Sequence, residues 1–139
     1  KDAISASIST ASRSNFYALF DTLEFLSKGG RIGKAQSMLG SLLKIRPLLM
    51  LEEGLVAPYS KARSKRAGLA KMEKTIRSLG EAEEIAVMYS TDSDYADVIA
   101  KNLSDLLPSG KEPIILKVGP VIGTHAGPGL VAVGLVTKK

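Results

Sequence analysis

Cysteine is absent from the 139 residues and histidine occurs once, at His125. Without thiolates there is no disulfide framework and no thiolate metal site, and one imidazole leaves too few ligands for zinc, so no metal is expected. A reducing cytoplasm is the compartment this composition fits. Long apolar runs are missing too. Pro47–Leu51 is closed by Arg46 and Glu52, and no run reaches the roughly 18 to 20 residues of a membrane span, which predicts a soluble chain. No basic-then-apolar leader precedes a small-residue cleavage site, and a chain beginning at Lys1 is expected to be a piece of a longer one.

What is present suffices for one domain, because a chain of this length buries roughly two-thirds of the surface it exposes when unfolded. Nineteen Lys and Arg against fourteen Asp and Glu give a net charge of +5. Such a balance suits nucleic acid, an anionic membrane surface or an acidic protein partner. Its densest part is Lys61-Ala62-Arg63-Ser64-Lys65-Arg66. Cations opening a helix oppose its dipole, which suggests an anionic partner, although a solvated charge run reads the same way. No RRM, KH or zinc-finger signature accompanies the patch, so no nucleic-acid partner and at most a transient membrane contact are expected.

Periodicity sets out the elements. Residues 1–14, rich in Ser, Ala and Thr, read as a linker or the remnant of an upstream element, and 15–139 as one α/β domain. Asn15–Phe20 is a predicted strand. Asp21 and Glu24 have the spacing of a capping box for a short helix ending at Gly29-Gly30. Ala35, Met38, Leu39, Leu42 and Leu43 recur at three- and four-residue spacing and predict an amphipathic helix over 34–44. Arg46–Glu52 and Leu55–Ala62 flank Glu53-Gly54 as a hairpin, with Pro58 suited to an edge strand. A basic helix over 64–79 closed by Gly80, a strand over 84–90, a helix from Thr91-Asp92-Ser93 to about Leu106, and strands over 112–118 and 130–137 follow. The alternation predicts an α/β fold with a mixed β-sheet packed with helices.

Two glycine-rich stretches carry the chemistry. Gly29-Gly30-Arg31-Ile32-Gly33-Lys34 is a turn with two cations entering a helix, a place for phosphate or carboxylate or simply a connection with solvated charges. It lacks the spacing of a P-loop. Gly119-Pro120-Val121-Ile122-Gly123-Thr124-His125-Ala126-Gly127-Pro128-Gly129 reads as a shaped loop whose useful side chain is His125. Held there, the imidazole either binds an anion or hydrogen-bonds a carbonyl as any surface histidine does. No Gly-x-Ser-x-Gly elbow is present.

In wording, order and spacing, Asp21-Thr-Leu-Glu-Phe-Leu-Ser-Lys-Gly-Gly-Arg-Ile-Gly-Lys34, Leu39-Gly-Ser-Leu-Leu-Lys-Ile-Arg-Pro47 and Gly123-Thr-His-Ala-Gly-Pro-Gly129 resemble the C-terminal half of the DegV family. The resemblance covers about Phe16 to the end. It implies the second domain of a two-domain carrier that holds a long-chain fatty acid between its domains, without a cofactor and without being an enzyme. A separate fatty acid kinase phosphorylates the presented carboxylate, and the acyl phosphate enters phospholipid synthesis. By resemblance Arg31 and His125 lie at the carboxylate or acyl phosphate, while the hydroxyl ligands belong to the missing N-terminal domain. Arg63, with Lys65 and Arg66, is implied as the kinase-facing surface. Leu39, Leu42, Leu43, Ile45 and Ile122 are the expected acyl-tunnel residues. A kinase-like or phosphorylated-metabolite-binding domain, related to dihydroxyacetone kinase and using Arg31, Lys34 and His125, is the competing reading; the missing nucleotide motif and the scarcity of acid–base pairs stand against it.

Overall fold

The computed structural model describes residues 2–41 and 44–139; the tunnel candidates Leu42 and Leu43 lie outside the described residues. In chain order the elements are α1 (Asp2–Arg13), β1 (Ser14–Leu19), α2 (Glu24–Lys28), a 3₁₀ helix (Gly33–Ser41), β2 (Arg46–Glu52), β3 (Leu55–Ala62) and α3 (Lys65–Arg77). Then come β4 (Ala82–Tyr89), α4 (Asp94–Leu103), a 3₁₀ turn (Ser104–Leu106), β5 (Ile114–Lys117), α5 (Pro120–Ala126) and β6 (Val131–Thr137). The strands form one sheet in the order β3-β2-β1-β6-β4-β5. Neighbours run antiparallel except β4 and β5, which are parallel. A parallel pair needs a crossover, and α4 supplies it. The mixed α/β sheet expected from the sequence is present.

Successive side chains of a strand point to opposite faces, and β1 divides the core accordingly. Tyr17 and Leu19 join Leu48, Ile85, Val87, Val131 and Val133 against Leu69, Met72 and Ile76 of α3 and Ile99 and Leu103 of α4. Ala18 and Phe20 point the other way, with Leu49 and Ala132, against Leu23, Leu26, Ile32, Ala35 and Ala126. The first face is covered by two full helices. On the second, the α-helices are only five and seven residues long, with the 3₁₀ helix beside them.

Pro58 sits on β3, an edge of the sheet, as expected. Leu48 faces Ser60 while Leu49 faces Pro58, so Tyr59 is the extra residue of a bulge that absorbs the proline. Helix α3 opens on Ser64, whose Oγ accepts from the Ala67 N–H at 3.1 Å. Ser64→Ala is expected to lower stability by about 1 kcal/mol, measured by urea unfolding; an unchanged midpoint would show the cap to be idle.

Three expectations need correction. Of the helix expected over 34–44, the part up to Ser41 belongs to a 3₁₀ helix, Gly33–Ser41, and not to an α-helix. Ala35 and Met38 within the 3₁₀ helix, and Ile32 just before it, face the core, a spacing of three that the tighter helix satisfies. The shaped loop at 119–129 contains the helix α5, opened by Pro120 in its first turn, with the Gly123 and Gly127 N–H groups donating to the Gly119 and Gly123 carbonyls. Asp21 does not cap α2: Thr22 Oγ1 accepts from Glu24 N–H at 3.2 Å, and Asp21 pairs with Arg46 and Lys65. Residues 2–13 form a regular helix without a buried residue. It is tied to the sheet at its last residue, where Arg13 donates to the Thr137 carbonyl and pairs with Glu83 at 2.9 Å.

Candidate functional site

One end of the sheet collects the chain's chemistry. Asp21 follows β1, Arg46 opens β2, Arg63 and Lys65 follow β3, Thr91 follows β4, and the turn Gly127-Pro128-Gly129 leads into β6. At this end the two glycine motifs meet. Helix α2 stops at Gly29, whose N–H donates to the Phe25 carbonyl at 2.9 Å, and α5 ends with His125 in its last turn. The imidazole lies directly on Gly29: a Cβ there would overlap His125 Nδ1 far inside van der Waals separation. Phe25 of α2 lies just as closely over Gly127. The two short helices are thus laid together through residues without side chains.

His125 is half-buried, and its Nδ1 is buried without a hydrogen-bond partner among the described residues. Arg31 is exposed, and its side chain has no ion pair or hydrogen bond among the described residues. Only Gly30 separates it from the glycine that seats His125, so the Cα atoms of Gly29 and Arg31 are at most about 7 Å apart. The two motifs therefore meet at Gly29 and His125, and Arg31 follows close by in the chain.

The kinase-facing candidates separate. Arg63 and Arg66 are exposed, whereas the Lys65 side chain is only 14% exposed and donates to the Gly129 carbonyl at 2.6 Å. Arg63 rims a recess of about 510 Å³ with Lys61, Lys71, Ala62, Ala67 and Ile45. Ile45 thus lines a basic recess. Leu39, 40% exposed, lines a different one of about 320 Å³ with Thr22, Leu23 and Ser27. Ile122 is 57% exposed on α5. The described members of the expected tunnel set are not gathered in one recess.

An apolar surface that the sequence reasoning missed lies on the second face of the sheet. Register aligns Phe16, Gly134, Ala86 and Ile114 across β1, β6, β4 and β5, and beside them Ala18, Ala132, Met88 and Leu116. Gly134 and Ala86 in the middle of the first row leave a trough, and the outer members Ile114 and Leu116 are about half exposed. A groove of about 410 Å³ opens there, lined by Asn15, Glu84, Ala86, Ile114, Gly134 and Val136, a size in the range of small-molecule sites. Its signal in the sequence was Ala86, Ala132 and Gly134, small residues where a covered strand would carry large ones. Among the described residues no three His, Asp or Glu side chains gather as metal ligands, and no helix is long and apolar enough to cross a membrane.

A family model described as "Uncharacterised protein, DegV family" matches residues 1–138. The chain belongs to the DegV family. A DegV domain-containing protein of Streptomyces coelicolor is 38% identical over 134 residues, covering 95% of this chain and 48% of that protein. The solved structure described as fatty acid binding of a DegV family protein from Thermus thermophilus superposes with a TM-score of 0.86 at 31% identity, over 99% of this chain and 50% of that one. DegV from Bacillus subtilis, described as a fatty acid binding protein, gives 0.80 at 27% identity over 99% and 49%. The chain spans about half the length of the relatives it matches.

Proposed function

We propose that this domain is the second half of a two-domain fatty acid carrier, with the division from the first half near residue 14. It shields part of a long-chain fatty acid and presents the carboxylate to a fatty acid kinase for acyl phosphate formation. The supporting observation is the half-covered apolar trough on the sheet face that also carries the seat of His125. Its DegV relatives from Thermus thermophilus and Bacillus subtilis are described as binding fatty acids. A buried acyl tail gains about 0.8 kcal/mol per methylene, on the order of 10 kcal/mol for sixteen carbons before ordering costs, so the tail supplies most of the affinity. Arg31 and His125 then orient the carboxylate and reduce the cost of removing it from water. No cofactor enters this role, and a cytoplasmic setting fits it.

The companion half covers what stands bare. Helix α1 carries Ile4 and Ile8, 68% and 65% exposed and one turn apart, on an element too short to be stable alone in water. Arg63 and Arg66 are the cations left open for the kinase. Palmitate titrated into the chain should bind measurably, though more weakly than to a full-length DegV carrier, because half an enclosure removes less of the tail from water. Leu116→Lys, at an exposed edge position, should weaken that binding about tenfold, the loss of one partly buried leucine contact. Wild-type affinity in Leu116→Lys would take the tail off this trough, and absence of any palmitate binding would overturn the reading.

A further inference from the structure

Lys65 opens a helix, where a positive charge is unfavourable, and stands in a basic run whose neighbours Arg63 and Arg66 are exposed. Its side chain nevertheless turns inward, and its ammonium meets three polar or electron-rich groups. It donates to the Gly129 carbonyl at 2.6 Å, lies 3.4 Å from Asp21 Oδ1 and sits 5.2 Å from the centroid of the Tyr95 ring. An ammonium has three donors and no acceptor, so this is a nearly complete shell for it. Asp21 is fixed in turn by Arg46 Nη1 at 2.7 Å.

What Lys65 grips is the turn that ends the His125 motif. Gly129 N–H donates to Thr91 Oγ1 at 3.0 Å, and Leu130 N–H donates to Ser90 Oγ at 3.0 Å. The two residues that follow β4 therefore hold the turn by its N–H groups, and Lys65 holds it by its carbonyl. Only Ala126, Gly127 and Pro128 separate His125 from Gly129; Ala126 is buried and Gly127 is backed by Phe25. Pro128 is exposed, but its ring fixes the backbone, so a segment this short carries a displacement of Gly129 towards the imidazole.

We propose that Lys65 is a positioning residue: by tying the Gly129 carbonyl to Asp21, it fixes where α5 ends and so where the His125 ring presents itself to an anion. That the anion is a fatty acid carboxylate rests on the function proposed above; the positioning does not.

The two are separable because His125 is the one histidine of the chain, so its ring gives a single set of NMR signals without any lipid. Lys65→Met keeps the apolar stem and removes the donor, and Lys65→Arg restores a cation. In the full chain, Lys65→Met should move the His125 ring signals and weaken palmitate binding about five- to tenfold, the range of a lost charged hydrogen bond acting at one remove. Lys65→Arg should return both towards wild type, which a general loss of stability would not explain. A folded Lys65→Met with wild-type ring signals overturns the proposal. If Lys65→Met does not fold, Asp21→Asn, which removes the countercharge alone, decides by the same signals: displaced ring signals support the proposal and unmoved ones overturn it. Ring signals that move in Lys65→Met and return in Lys65→Arg, in a chain that binds no palmitate, uphold the positioning and overturn the fatty acid reading.

Discussion

Gly129→Val is expected to lower the melting temperature by roughly 10 °C or more, the largest effect of any single change near the site. Gly129 has φ of +78°, a conformation that costs a β-branched residue about 1 to 3 kcal/mol. A Cβ there would also overlap the Asp21 carboxylate, which ion pairs to Arg46 and Lys65 hold in place. Forcing that carboxylate away adds about 1 to 3 kcal/mol of overpacking. The two costs arise at one atom and share no remedy, because turning the backbone to relieve φ would break the bonds to Thr91 and Lys65. Differential scanning calorimetry would check this, and a shift of only a few degrees would mean that the turn can be rebuilt without its glycine.

Gly29→Ala should act on binding with little effect on the backbone. Gly29 has φ of −80° and ψ of −3°, which alanine adopts freely. The new methyl would occupy the position of His125 Nδ1, so the ring must leave its seat. A hydrogen bond to a charged ligand is worth about 1.5 to 3 kcal/mol, so palmitate affinity should fall about 10- to 100-fold while the melting temperature moves far less than in Gly129→Val. His125→Ala should weaken binding to a similar extent, and combining the two should add little, since they remove the same donor. Full additivity in the double variant, read by titration, would show that Gly29 acts through something other than the imidazole.

The sequence revealed elements whose signals are local. The hairpin was legible to the residue at Arg46–Glu52 and Leu55–Ala62, because Glu53-Gly54 marks a tight turn between two short apolar runs. Helix α3 was legible from Ser64 and Gly80, which mark its ends by capping chemistry and a φ of +89°. Where glycine and helix signals conflict, the reading failed: Gly123 hid α5, although Pro120 is well placed to begin a helix. Asp21 had the spacing of a cap, but Arg46 and Lys65 are its partners through contacts distant in sequence, which no local pattern reports. The motif glycines pointed correctly to close approach, yet that Gly29 and His125 approach each other is a property of how α2 and α5 lie together on the sheet. Lys65 shows the limit most plainly. In the sequence it is one of four clustered cations, and in the fold it is the one that turns inward.

Strand β6 follows every other strand in the chain and yet lies between β1 and β4. A ribosome delivers the sequence in order, so β1, β2 and β3 can assemble as one leaf and β4, α4 and β5 as another before their shared neighbour exists. Until Val131–Thr137 emerges, each leaf presents an unpaired inner edge, the kind of surface to which chaperones and other nascent chains attach. Joining β1 to β6 closes a loop of more than a hundred residues, the slowest kind of contact to make. Assembly of the domain therefore ends with its centre, and a chain cut short before β6 would be two half-sheets and not a slightly smaller domain.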